Sequence, residues 1–402
     1  MKTDICIKLQ LYVKLSHERF FIDDALLLCE GSEYKIIANI NSKDAPNFSF
    51  RTKYWNDNML SLKLHQEFSI KKAFLGDCEI KVRFNNTRLI GLYGEHLLHK
   101  NYATFVWKID SFIYETVNDD SMKGCEIVCQ LTKNASGLLK YGKKDISFQY
   151  KGIQLFLYID EEGHSCIKCL TQQYSIIDEV LSLMSFYLRT PIEFRMIRTL
   201  DKKNISVEYK RTKYNIQEIH IVHSQFMYLN INNGGTFLEF VEFISDNDIE
   251  DSVFTFVRKG IDNYVRSNYL DNLSKYVLLY SVLAVFANKI HKYIGYCEYE
   301  RIKKLFECFE LNISAIDSVI GKKGFKDSNG NIIKNLAELR NEIMHGLPST
   351  EIIRFLDNDS DVISRMEFVT CITILKELCF SNISFKDGFE NLNVFKVNRT
   401  QK

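Results

Sequence analysis

The feature that most limits the fold is a change of apolar period near residue 235. Before it, apolar and polar residues alternate, as in a half-buried strand. After it, apolar residues recur at spacings of three and four, as in a helix with one buried face. Leu60-Ser-Leu-Lys-Leu-His65 alternates strictly. Residues 78–84, then Asn85-Asn86, then 87–92 predict a hairpin around a two-residue turn. Further strands are predicted at 103–109, 154–159 (closed by Asp160-Glu-Glu-Gly163), 205–209 and 219–223, and one helix interrupts them at 176–188. Beyond the change, helices are predicted at 248–267, 271–294, 300–316, 332–345 and 361–382, joined by short connections as in an antiparallel bundle. The expected fold is therefore α+β, with a strand-rich sandwich or open barrel over 1–240 and an all-α bundle over 241–402.

Charge and cysteine usage narrow the function classes. Lys and Arg total 52 against 51 Asp and Glu, which argues against a broad basic coat for nucleic acid but leaves room for a small local site. The 11 cysteines show no repeated spacing, so no disulfide framework is expected and a reducing cytoplasmic setting fits. Charges break the apolar run at the N-terminus, unlike the long apolar core of a signal peptide. The most apolar stretch, 276–287, is short for a bilayer span and reads as a buried helix, so no membrane partner is expected.

The segment Ser328-Asn-Gly-Asn-Ile-Ile-Lys-Asn-Leu-Ala-Glu-Leu-Arg-Asn-Glu-Ile-Met-His-Gly-Leu-Pro348 carries the chemistry. Turn residues precede it, with Asn331 a candidate cap. Ile332, Leu336, Leu339 and Ile343 fall on one stripe, and Gly346 and Pro348 stop the helix. Asn341 and His345, four apart, sit one above the other nearly opposite that stripe, and Arg340 lies on the flank. In a single bundle this face meets solvent; a dimer packed on it brings two His and two Arg into one cleft. A histidine in the last turn sits where the helix dipole favours its charged form. With an Arg for phosphate and an amide to orient it, the set suits phosphodiester cleavage. An Arg and a His at this spacing arise by chance roughly 0.3 times in such a chain, and requiring Asn beside the Arg lowers this to roughly 0.03.

This arrangement, Arg340-Asn341-x-x-x-His345 in a helical bundle, resembles the signature of HEPN domains. The layout of a strand-rich region followed by such a bundle resembles the ApeA-type anti-phage defence proteins. The resemblance implies a metal-independent endoribonuclease, needing no cofactor, that acts as a homodimer on RNA. The RNA 2′-OH would attack the adjacent phosphate, leaving a 2′,3′-cyclic phosphate and a 5′-OH. His345 would transfer the proton, Arg340 would stabilise the phosphorane and Asn341 would orient both. The N-terminal region would be the sensor or regulator, answering to a phage-derived trigger. HEPN nucleases commonly add a polar residue from an earlier helix, for which Asn288 and His291 are candidates. A non-catalytic dimerisation or partner-binding bundle is the alternative. A DNA-binding regulator fits less well, with balanced charge and no clear helix-turn-helix.

Other constellations are weaker. Lys322, Lys323 and Lys326 precede the motif helix and are candidate RNA contacts. Arg195 to Lys213 is the most basic stretch and contains Tyr209; it reads as a solvated edge hairpin, or alternatively as a groove for single-stranded RNA. Cys166-Ile-Lys-Cys169 with His164, Cys125 and Cys129 lacks the second closely spaced pair that a zinc site needs, so no metal is expected. His220 and His223, three apart in a strand, face opposite sides and read as two separate histidines.

Overall fold

The computed structural model describes residues 5–15, 18–30, 33–41, 66–94, 102–117, 126–131, 138, 145–170, 173–200, 204–210, 228–231, 236–247, 249–293, 296–345, 348–358, 360–385 and 394. The fold is mixed α+β, with a strand-rich N-terminal barrel and a helical C-terminal region. The expected strands at 60–65 and 219–223, with His220 and His223, lie outside the described residues, as does Cys125.

The change of period does not coincide with the division into compact units. One unit comprises residues 1–132, 160–172 and 193–215; the other comprises 133–159, 173–192 and 216–402. A hairpin and a helix that precede residue 240 thus belong with the helical unit, in place of one boundary near that residue. Strand composition reports local backbone preference, whereas unit membership follows from which faces are buried together.

The first unit is built on six strands: β1 (Ile5–Leu15), β2 (Glu18–Glu30), β3 (Glu33–Asn41), β4 (Gln66–Leu75), β5 (Cys78–Gly94) and β6 (Tyr102–Val117). They pair antiparallel in the order β1-β2-β3-β6-β5-β4, and β4 returns to β1, which closes a barrel. Closure removes exposed sheet edges. Ile7, Leu9 and Leu11 of β1 point inward in alternation and are almost fully buried, as are Ile22, Ala25 and Leu27 of β2. Strand β6 changes partners along its length. Residues 102–109 pair with β3, and residues 111–117 pair with β12 (Asn204–Lys210). From there the sheet continues through β11 (Phe194–Leu200) and β7 (Glu126–Leu131) to β10 (Ser165–Cys169).

Two sequence expectations fail here. The hairpin at Asn85-Asn86 is one continuous strand, because Asn85 pairs with Ser111 and Thr87 with Ile109 along β6. The turn lies earlier, at Gly76-Asp77, where Gly76 takes φ +60°. The basic hairpin over β11 and β12 is not an edge, since β12 also pairs with β6 and β11 with β7. Nor is Tyr209 offered to RNA: it is buried and stacks on Phe112 at 5.0 Å within the barrel core.

The second unit contains β8 (Asp145–Tyr150) and β9 (Ile153–Ile159), joined by Lys151-Gly152, both at positive φ, as a two-residue hairpin demands. Its helices are α1 (Tyr174–Leu188), α2 (Phe237–Asp246), α3 (Asp251–Arg266), α4 (Asn272–Val285), α5 (Glu298–Cys308), α6 (Ser314–Lys323), α7 (Leu336–His345), α8 (Thr350–Asn358) and α9 (Ser360–Glu377). The helix predicted over 300–316 is two, α5 and α6, because Glu310 takes φ +57° and turns the chain between them. Two short strands, β13 (Leu229–Ile231) and β14 (Ile383–Phe385), pair antiparallel.

Helix α4 is the hub, touching α3, α5, α7, α8 and α9. The Asp271 carboxylate caps it, accepting the Ser274 N–H at 2.9 Å. A π-turn over Phe286–Ile290 extends it, giving 19 residues that meet the length and composition of a bilayer span. Within the fold Tyr276, Leu279, Leu283 and Phe286 of this helix are fully buried in the bundle.

Gly260 of α3 makes that packing possible. A Cβ built there would stand 2.4 Å from a ring carbon of Phe286, the first residue of the π-turn. Helix propensity alone favours alanine over glycine. Gly260→Ala is nevertheless expected to destabilise the protein by about 1–3 kcal/mol through overpacking. Thermal unfolding of the variant checks this; a raised midpoint would contradict it.

Candidate functional site

The motif helix α7 starts at Leu336, one turn later than its sequence pattern predicts. Asn335 is the cap: its Oδ1 accepts from the N–H groups of Ala337 and Glu338 at 3.0 and 2.9 Å. Asn331 instead closes the preceding turn, where Asp327 Oδ1 accepts its N–H at 2.7 Å. Ile332 accordingly leaves the buried stripe and is 48 % exposed. Leu336, Leu339 and Ile343 remain buried, each contributing roughly 1.5–3 kcal/mol of transfer free energy.

The N-terminus of α7 is fixed from α6. Asp317 accepts the Leu336 N–H at 3.0 Å and the Tyr299 hydroxyl at 2.6 Å. Burial raises the Asp317 carboxyl above its ordinary value, opposed by these two hydrogen bonds. From α4, the buried Tyr276 hydroxyl donates to the Leu336 carbonyl at 2.8 Å. The helix that carries the motif is thus held by polar contacts at its start and by apolar packing along one side.

Its other side is open. Asn341, Met344 and His345 are exposed, at the i, i+3 and i+4 positions of one face, and Met344 is 52 % exposed. Arg340 is half-buried. Its Nη1 donates to Asn341 Oδ1 at 3.0 Å, and its guanidinium lies 5.8 Å from the centre of the Tyr280 ring. The Tyr280 hydroxyl donates to Glu298 Oε1 at 2.8 Å. Burial, reinforced by the hydrogen bond to Glu298, holds the Tyr280 phenol well above its ordinary value, so it stays a donor.

Arg340 also borders a recess of about 230 Å³ between α4, α5 and α7. Tyr280, Ser281, Asn288, Lys289 and Glu298 share the lining, and Val277, Ala284 and Val285 supply its apolar wall. Asn288 and Lys289 come from the π-turn, a rare geometry that recurs at functional sites. Asn288 Oδ1 accepts from Arg301 Nη1 at 2.7 Å.

Of the sequence candidates, Arg340, Asn341 and His345 lie together on α7, and Asn288 shares the recess with Arg340. His291 does not: its Nε2 lies 2.8 Å from Glu377, and its ring packs against Tyr293 and Phe309. Lys322, Lys323 and Lys326 are exposed, but none lines the recess. Lys322 and Lys323 occupy the last turn of α6, where lysines complement the helix dipole, and Lys323 lies 5.2 Å over the Phe355 ring. Tyr280, Glu298 and Arg301 escaped the sequence reading. One signal was present: Val277, Ser281, Ala284 and Asn288 put small and polar residues on one face of an otherwise apolar helix.

The cysteine cluster takes the apolar role. Cys166, Cys169 and Cys129 are buried in paired strands of the first unit, and Cys166 Sγ lies 3.6 Å from Asp160 Oδ2. Among the described residues, no three His, Cys, Asp or Glu side chains are placed to hold a metal ion.

No protein-family model, curated protein or solved structure matches this chain.

Proposed function

We propose that this protein is a metal-independent endoribonuclease of the HEPN type, a cytoplasmic effector of anti-phage defence that works as a homodimer. The observation that carries the reading is the state of Arg340. Its guanidinium is held by Asn341 and the Tyr280 ring at the rim of a recess, while His345 stands exposed one turn further along the same helix. A positioned guanidinium suits the spread charge of a phosphorane, and an accessible imidazole suits proton transfer. In this reading the RNA 2′-OH attacks its own 3′-phosphate, the P–O5′ bond breaks, and the proton lost by the 2′-OH is balanced by one gained by the departing 5′-oxygen. His345 moves the proton, Arg340 meets the developing charge, and Asn341 fixes the Arg340 fork. Exposed Met344, between Asn341 and His345, supports pairing of two such faces. The first unit serves as the sensor of a phage-derived trigger.

The same exposed face favours one other reading, a non-catalytic dimerisation or docking module. One experiment separates the two. Purified protein is incubated with RNA in excess chelator and the new ends are identified. Cleavage leaving 2′,3′-cyclic phosphate and 5′-OH is expected. A dimer that leaves RNA intact supports the docking module and rejects the nuclease.

A further inference from the structure

We infer that the recess beside Arg340 is a nucleobase subsite selective for guanine. Its effect on cleavage rests on the ribonuclease reading, whereas base binding stands on the recess alone.

The lining mixes one carboxylate, Glu298, with two cations, Arg340 and Lys289. A phosphate entering next to Glu298 would meet like charge, so the group that fills this space must bring hydrogen-bond donors to the carboxylate. Glu298 Oε1 accepts from Tyr280, which orients the group. Oε2 makes no hydrogen bond to a described residue, and Oε1 keeps a second lone pair. Asn288 is oriented as well. Arg301 donates to its carbonyl oxygen, and its NH₂ makes no hydrogen bond to a described residue, so the NH₂ is the donor left for a ligand. Val277, Ala284 and Val285 give an apolar wall suited to a flat ring rather than to a sugar diol. At about 230 Å³ the recess suits one ring system, below the usual span for drug-sized ligands.

Among the four bases, guanine alone presents two adjacent donors, N1–H and N2–H, beside an acceptor, O6. A carboxylate takes the two donors and the Asn288 amide gives to O6. Adenine and cytosine place a ring acceptor next to their single amine, and uracil flanks one donor with two carbonyls; a carboxylate repels each of these acceptors. Discrimination of this kind follows because a wrong base would cover the half-buried Glu298 and Asn288 and leave them without partners. The π-turn that carries Asn288 is the local backbone device that sets this wall.

The test is a titration of the full chain with the 3′,5′-bisphosphates of guanosine, adenosine, cytidine and uridine, each carrying phosphate on both sides of the sugar. The guanosine compound is expected to bind about tenfold or more tightly than the other three. Glu298→Gln, which keeps size and removes charge, should bring it down to their level while thermal unfolding stays close to wild type. Equal binding of all four, binding of none, or undiminished selectivity in Glu298→Gln overturns the inference. Should Glu298→Gln not fold, the wild-type comparison decides alone. Mapping RNA ends separates the two claims. RNA cut without preference for guanine at the scissile step removes the subsite and spares the nuclease. Selective guanosine binding with RNA left intact removes the nuclease and spares the subsite.

Discussion

His345→Ala is expected to lower the initial rate of RNA cleavage by about 10²–10⁴, the usual contribution of a positioned general acid–base group. Arg340→Ala should be comparably damaging, because the phosphorane charge would lose its bidentate partner. Arg340→Lys should rescue little, since an ammonium offers a point charge instead of a planar fork. The location of these residues makes the test clean. His345 is exposed and Arg340 half-buried, while the packing of α7 rests on Leu336, Leu339 and Ile343. His345→Ala should therefore unfold within about 0.5 kcal/mol of wild type, and Arg340→Ala, which gives up the contacts to Asn341 and the Tyr280 ring, within about 1–2 kcal/mol. The measurement is cleavage of end-labelled RNA in chelator, beside thermal unfolding of the same samples. Wild-type cleavage by His345→Ala would remove this residue from the mechanism.

The largest effect on stability is expected far from the motif. Arg189 is 1 % exposed, takes φ +51° at the end of α1, and pairs with the buried Glu367 of α9. Lys275 of α4 pairs with the same carboxylate. The Arg189 guanidinium also lies 4.8 Å over the Tyr264 ring of α3, and its carbonyl accepts from Asn268 at 2.8 Å. One carboxylate thus joins α1, α4 and α9, and α3 lends an aromatic face. Glu367→Leu would leave the buried Arg189 and the half-buried Lys275 without this anion, and a cost of about 3–5 kcal/mol is expected. That is a large share of the 5–15 kcal/mol typical of a domain. Arg189→Met should cost less, because Lys275 still answers Glu367. The double variant should be more stable than the sum of the two single changes implies, since the groups share one network. Urea midpoints at unchanged slope report these differences. A Glu367→Leu midpoint equal to wild type would show that the cluster contributes no net stability.

These two sites differ in how they could be read. The motif was legible because its chemistry, its apolar stripe and its stop signal lie within about twenty consecutive residues. Its start was not: Asn331 is the cap the sequence suggests, but Asp327 claims it for the preceding turn and the cap falls to Asn335. The charge cluster had no sequence signal, as Arg189 and Glu367 stand 178 residues apart. Pro348 signals the end of α7 but not the start of α8, which Ser349 just beyond it caps by accepting the Ile352 N–H at 3.3 Å.

What the sequence determined by itself was local: where strands give way to helices, which face of α7 is buried, and that Arg340, Asn341 and His345 share one helix. Backbone propensity and side-chain period act over a few residues and survive any arrangement of the rest. What only the tertiary structure decided was non-local. Strand β6 closes a barrel with β3 and then passes to β12, so the turn expected at Asn85-Asn86 is part of the ladder. The early hairpin and α1 joined the helical unit. The recess was assembled from α4, α5 and α7, with a π-turn bringing Asn288 into the lining that Arg340 shares. Such pairings are set by which buried faces and polar groups find partners across the whole chain, and no window of sequence contains both halves of them.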